Sequence, residues 1–315
     1  MPTNEVGGRS EIGAMSCDRD QEYFSDGITD DLITALSRLQ GVFVIARSST
    51  FTYKGKAAKV QDISRELGVE YVLEGSVRKS GDKLRITAQL VDAGAGNHLW
   101  AERYDRPLKD IFALQDEIVG KIVTTLKLQL TLEQQGFVAR KRTDNLEAYD
   151  YYLRGLDTGV TFSKKGNDQS RQLWEKAVAL DPEYAEAYAQ LGRTYLFEWA
   201  YHWSADPQTP KRAFELARKA LALDDSLPMA HSRLGMLYAL QQQHDQAIAE
   251  GEQAIALDPN NADSYFQQAW VLATCAGRPE EALRNLAQAM RLNPRYPPPY
   301  LVELGKTYYY IGRYA

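Results

Sequence analysis

A short phrase recurs at a nearly fixed interval in the second half of the chain. Ala179-Leu180-Asp181-Pro182 and Ala256-Leu257-Asp258-Pro259 match, and Ala222-Leu223-Asp224-Asp225 and Arg291-Leu292-Asn293-Pro294 are weaker copies. Their leucines are 43, 34 and 35 residues apart. A period in this range restricts the chain to stacked supersecondary units, because one unit cannot bury its own apolar face. The long interval holds Phe197 to Pro210, which reads as an insertion rich in aromatics.

Each interval has the same internal pattern. Tyr188, Leu191, Gly192 and Tyr195 recur as Leu234, Gly235 and Tyr238, then Tyr265, Ala269 and Leu272, then Leu304, Gly305 and Tyr308. Gln268 stands where leucine is expected. A second run in each unit carries Ala213 and Ala220, Ala247 and Ala254, Ala282 and Ala289. Helical spacing predicts two helices per unit, with Gly or Ala at the close approach and Leu and Tyr filling the grooves. Proline after the second helix cannot continue it and sets the turn. The pattern resembles the tetratricopeptide family over residues 146–315. An all-α solenoid is therefore expected there, its last unit incomplete. Gly251 replaces a large residue and should weaken its helix. The last helix, about residues 299–312, should leave Leu301, Leu304, Tyr308 and Ile311 partly exposed, as in a fragmentary chain or an imperfect cap.

The first half follows another period. Ile28, Leu32, Ile33, Leu36 and Leu39 form a helical face after the start signal Ser25-Asp26-Gly27. Asp30-Asp31 then reads as a carboxylate pair complementing the helix N-terminus. Val42 to Ala46 reads as a strand, Ser48 to Lys56 as a polar loop, and Val60 to Leu67 as a helix ended by Gly68. Strands are expected at residues 70–78, 84–90 and 98–105, joined by the turns Ser80 to Lys83 and Gly94 to Asn97. A helix with Ile111, Leu114, Ile118, Ile122 and Leu126 inward closes the unit. The expectation is a small α/β domain with a three- to four-stranded sheet and helices. Residues 1–19 read as a disordered or truncated leader, 20–129 as the domain, and 130–145 as a linker.

Several phrases carry a second resemblance: Glu22-Tyr23-Phe24-Ser25-Asp26-Gly27-Ile28, Phe51-Thr52-Tyr53-Lys54-Gly55, Tyr71 to Arg78, and His98-Leu99-Trp100-Ala101-Glu102. They are similar to the TolB N-terminal-like domain, which in many bacterial proteins precedes tetratricopeptide repeats. The resemblance implies the C-terminal region of a bacterial signalling protein, behind a class III adenylate/guanylate cyclase, a winged-helix head or a kinase. That family has an apolar first strand. Glu11 to Met15 is too short and interrupted to supply one, so an open sheet edge is expected.

Chemistry-bearing patterns are sparse. His98, His202, His231 and His244 lack metal-ligand spacing, and Gly94-Ala95-Gly96 lacks the Gly-Lys of a phosphate loop. Cys17 and Cys275 form neither a disulfide framework nor a metal motif. No catalytic residue, metal or cofactor is assigned, and no enzyme activity is expected of these residues. A net charge of -5 argues against nucleic acid as a partner. No apolar stretch approaches the roughly 18 residues of a membrane helix. Reduced thiols fit a cytoplasmic setting, or a periplasmic one if a membrane helix precedes the segment.

The expected partner is a protein or peptide. Gln190, Arg193, Arg233, Gln267 and Trp270 are assigned to the concave side of the repeats, where arginine and an aromatic suit a peptide carboxylate. Trp199, Tyr201 and Trp203 of the insertion are candidate aromatic anchors. Phe51, Tyr53 and Lys54 form a candidate contact loop in the first domain.

Overall fold

The computed structural model describes residues 4–8, 22–39, 42–56, 58–126, 143–159 and 163–312. The linker expected at 130–145 lies almost wholly outside them. Contacts divide the chain into two units, Met1–Lys141 with Met290–Tyr296, and Arg142–Ala289 with Pro297–Ala315.

The first unit is built on a five-stranded sheet of order β2-β1-β3-β4-β5. Its strands are β1 (Asn4–Gly8), β2 (Val42–Val44), β3 (Tyr71–Ser80), β4 (Lys83–Asp92) and β5 (Asn97–Pro107). The sheet thus exceeds the three to four strands expected. The strand expected to be missing is present as β1, inside the stretch read as a leader. It pairs in parallel with both β2 and β3, so the sheet is closed at that position. The β3-β4-β5 meander is antiparallel, with a register shift at Leu90/Val91.

Alternation sets the buried face of this meander. Leu84, Ile86, Ala88 and Leu90 of β4 are buried, together with Val77 and Tyr104. Helices α1 (Glu22–Ser37) and α4 (Ile111–Thr125) pack against one another and on the sheet. Ile28, Leu32, Leu36, Ile111, Leu114, Ile118 and Ile122 are the buried positions expected. Helix α3 (Val60–Leu67) ends on Gly68 in the left-handed region, at φ 69°.

Two local expectations are corrected. Helix α1 begins at Glu22, so Asp30 and Asp31 lie in its interior and not at its N-terminus. They serve as ties instead: Asp30 lies 3.6 Å from Arg47, and buried Asp31 accepts a 3.0 Å hydrogen bond from Gln115 of α4. The stretch read as a polar loop coils into α2 (Arg47–Thr50) and a 3-10 turn over Phe51–Tyr53. Hydroxyls stabilise these turns locally, since Thr50 and Thr52 bond back to the carbonyls of Arg47 and Ser49.

The second unit is a succession of helix pairs: α5 (Leu146–Thr158) with α6 (Lys164–Leu180), α7 (Ala185–Ala200) with α8 (Thr209–Leu223), α9 (Pro228–Leu240) with α10 (His244–Leu257). Helix α11 (Ala262–Trp270) runs into a π-helical turn, Val271–Cys275, and α12 (Pro279–Leu292) and α13 (Pro298–Tyr310) follow. This is the expected solenoid. Side-chain caps start two helices, with Asn145 accepting from the amides of Glu147 and Ala148, and Ser163 from Gly166.

Small residues set the spacing of the pairs. A Cβ on Gly192 would come within 3.3 Å of Leu216, and one on Gly235 within 3.0 Å of the Ala247 carbonyl. Buried alanines answer from the second helices, Ala213, Ala217 and Ala220 among them. The odd pair Gly251 and Gln268 has one explanation. A Cβ on Gly251 would sit 1.8 Å from Gln268 Oε1. Gln268 is buried and donates to the Ile248 carbonyl at 3.2 Å. The missing side chain in one helix makes room for the polar one that replaces leucine in the next.

Helix α13 leaves apolar surface open, as expected. Leu301 is 55% exposed and Tyr309 is 64% exposed. Its N-terminus is stiffened by Pro298, and Tyr300 is buried, stacked on Phe266 with centroids 4.4 Å apart.

Candidate functional site

The candidate site lies on helix α7 and its neighbours in the repeat unit. Arg193 stands between two rings. Its guanidinium carbon is 5.1 Å from the Trp174 centroid and 5.5 Å from that of Phe197. Trp174 is fully buried and anchored by donating its indole N–H to the Tyr152 carbonyl at 3.2 Å. Gly159 leaves room for the guanidinium, since a Cβ there would lie 2.9 Å from Nη2. Arg193 makes no hydrogen bond or ion pair among the described residues, and its Nε is buried without an acceptor.

The structure brings Arg233 into the electrostatic range of Arg193. Burial, then the like charge of Arg233, push the Arg193 guanidinium down to about 9. Burial also lowers the pKa of Arg233, which makes no hydrogen bond or ion pair among the described residues. Asp263 is the carboxylate that acts on both from a distance, without forming an ion pair with either. Two guanidinium groups thus lie partly desolvated, and neither forms an ion pair among the described residues.

The other groove candidates have mixed placements. Gln190 is buried and Gln267 is half-buried, each with a side-chain oxygen lacking a hydrogen-bond partner among the described residues. Trp270 is half-buried against the cluster of Ala239, Ala247 and Val271. Of the insertion aromatics, Trp199 packs against the cluster around Leu196, Phe214 and Leu237. Tyr201 is 52% exposed and stacks on Trp203 at 5.5 Å.

In the first unit, Phe51, Tyr53 and Lys54 have internal partners. Arg47 lies 4.5 Å from the Phe51 centroid. Buried Tyr53 donates to Glu66, and Lys54 bridges Glu22 at 2.6 Å and Asp26 at 2.5 Å. Burial raises the Asp26 pKa, and Lys54 opposes that rise.

The alignment of Phe197 and Tyr201 with Arg193 is the feature that sequence reasoning missed. Their spacing of four residues along α7 was the available signal. Among the described residues, no group of three or more His, Cys, Asp or Glu side chains could hold a metal ion. No described helix is long and apolar enough to cross a membrane.

Known proteins resemble parts of this chain, and one relative aligns over more residues than either unit contains. Residues 17–135 match the family described as HilA/YgeH-like transcriptional regulator, second domain. Residues 228–261 and 251–284 match tetratricopeptide repeat families. The second unit therefore carries tetratricopeptide repeats. One relative, "Putative adenylate cyclase 3" of Rhizobium meliloti (strain 1021), is 43% identical over 235 residues, 74% of this chain and 40% of the relative. "Transcriptional regulator HilA" of Salmonella typhimurium is 28% identical over 170 residues, 54% of this chain and 30% of the relative. The chain spans less than half the length of these curated relatives. Among solved structures, a thermophilic TPR protein of Thermus thermophilus has a TM-score of 0.41 at 18% identity, covering 65% of this chain and 91% of that one. MamA has a TM-score of 0.36 at 23% identity, covering 50% and 85%.

Proposed function

We propose that this chain is the non-catalytic interaction and regulatory region of a bacterial signalling protein, and that its repeats hold a segment of a partner protein. The observation that carries this reading is the pair Arg193 and Arg233, two partly desolvated cations that form no ion pair among the described residues. Tetratricopeptide repeats present a continuous surface for such a segment. A cytoplasmic setting suits these domains. The test is capture of a partner by the purified chain, compared with Arg233→Glu and Trp270→Ala. Both changes weaken capture on this reading, and capture unchanged by either removes the groove assignment.

A second reading concerns the output. The similarity to a relative named as a putative adenylate cyclase supports a role as the regulatory tail of such an enzyme. The match to a HilA-like domain supports the sensor tail of a transcription regulator instead. The TolB-like phrases of the first unit fit either arrangement. On both views these residues carry no turnover. Incubation with ATP or GTP and a divalent metal then yields no cyclic nucleotide above background, and measurable product would overturn the non-catalytic assignment.

A further inference from the structure

Arg193, Phe197 and Tyr201 follow one another at intervals of four residues along α7 and its C-cap. They share one face of the helix. The contacts form a ladder: Trp174 to Arg193 at 5.1 Å, Arg193 to Phe197 at 5.5 Å, Phe197 to Tyr201 at 5.9 Å edge-on, and Tyr201 to Trp203 at 5.5 Å. His202, at φ 53°, turns the chain so that Trp203 comes back under Tyr201. The Trp203 amide fixes that return by donating to the Glu198 carbonyl at 2.9 Å. The insertion therefore lengthens the row that begins at the groove arginine.

The two ends of this row differ in chemistry. At one end is a guanidinium whose Nε is buried without an acceptor among the described residues, within electrostatic range of a second guanidinium. Leaving such groups desolvated and unpaired is costly, and a carboxylate satisfies them with charge-assisted hydrogen bonds. At the other end is an exposed phenol ring backed by an indole. A ring or proline stacks well on such a surface.

We infer that the Arg193–Phe197–Tyr201–Trp203 row is the partner-contact surface of this repeat, and that it takes a protein segment carrying an Asp or Glu a few residues from an aromatic side chain. The carboxylate lies on Arg193 and the ring on Tyr201. This inference rests on the proposed groove function and specifies the partner's chemistry.

The test uses the full chain and acetylated, amidated peptides in which Glu and Phe are separated by one to four glycines. Matched peptides carry Gln for Glu or Ala for Phe. Binding is followed by the NMR signals of the Arg193 Nε–H and the Trp203 indole N–H. At least one Glu/Phe spacing moves both signals and binds at least fivefold tighter than its Gln and Ala counterparts. Arg193→Gln abolishes the preference for Glu, and Tyr201→Ala abolishes the preference for Phe. Tyr201 is half exposed, so its variant keeps the test valid even if Arg193→Gln fails to fold. Equal binding of the Gln peptides, or saturation without movement of either signal, overturns the inference. Peptide effects confined to Arg233 and Trp270 would overturn it while leaving the groove function standing. No response anywhere in the groove, with partner capture unchanged by Trp270→Ala, would remove both.

Discussion

At the scale of single residues, Gly251 shows how two departures from a pattern can compensate. Alanine is intrinsically better than glycine in a helix by about 1 kcal/mol. Here the added methyl would meet Gln268 Oε1 at 1.8 Å, and overpacking of that kind costs about 1–3 kcal/mol. Gly251→Ala is therefore expected to lower stability to urea in the native background and to raise it in a Gln268→Ala background. A double-mutant cycle showing simple additivity would disprove the pairing. His231 makes a second residue-scale case. Its Nδ1 meets Glu250 at 2.6 Å and its Nε2 meets the Asp225 carbonyl at 2.9 Å. Burial disfavours the imidazolium, but these acceptors outweigh it and raise the pKa above the usual value of about 6.5. A raised folded-state pKa means that this contribution is complete below about 6.5 and is lost as pH rises through the folded value. Urea midpoints measured from pH 6 upward should fall, and Glu250→Gln should flatten that part of the profile.

At the scale of elements, the helix pairs are spaced by glycines that do not all face the same obstacle. A Cβ on Gly155 would meet the Trp174 ring at 2.3 Å, one on Gly235 the Ala247 carbonyl at 3.0 Å, and one on Gly192 Leu216 at 3.3 Å. Trp174 is fully buried and tied to Tyr152, so it cannot swing aside. The loss of stability on substitution by alanine should therefore rank Gly155 above Gly235 and Gly235 above Gly192, read from urea midpoints. The largest loss should be about 1–3 kcal/mol, and equal losses would refute the steric account. These glycines also explain what was legible. Leu, Gly and Tyr at helical spacing, with Asp-Pro stops, announce the helix pairs because packing demands those residue types. Strand β1 was not legible. Strands flanked on both sides in parallel pairing usually read as apolar runs, whereas Asn4-Glu5-Val6-Gly7-Gly8 has a single large apolar residue. The turns over Arg47–Tyr53 were missed for a related reason. Ser and Thr there look like loop residues, yet their hydroxyls bond back to the helical carbonyls. Repeat register singled out Arg193 and Arg233 as candidates. Their surroundings depend on residues distant in sequence, such as Trp174 and Asp263, and were not legible.

At the scale of the repeat unit as a whole, stability should be graded along the stack, because each helix pair draws support mainly from its neighbours. Helix α9 packs against α7, α8, α10 and α11 and buries Leu234 and Leu237 completely or nearly so. Helix α13 is held differently, through Tyr300 stacked on Phe266 and through buried Glu303 and Thr307, with Leu301, Val302 and Tyr309 left exposed. Truncating a buried aromatic typically costs about 3–5 kcal/mol. In Tyr300→Ala most of that loss should appear as local opening of α13, with little transmitted to α9. Hydrogen exchange followed by mass spectrometry distinguishes the outcomes. Protection in the native chain should be lower across residues 298–310 than across 228–240, and Tyr300→Ala should widen the gap. A uniform drop in both helices would mean that the repeats open as one cooperative block, and the graded account would fail.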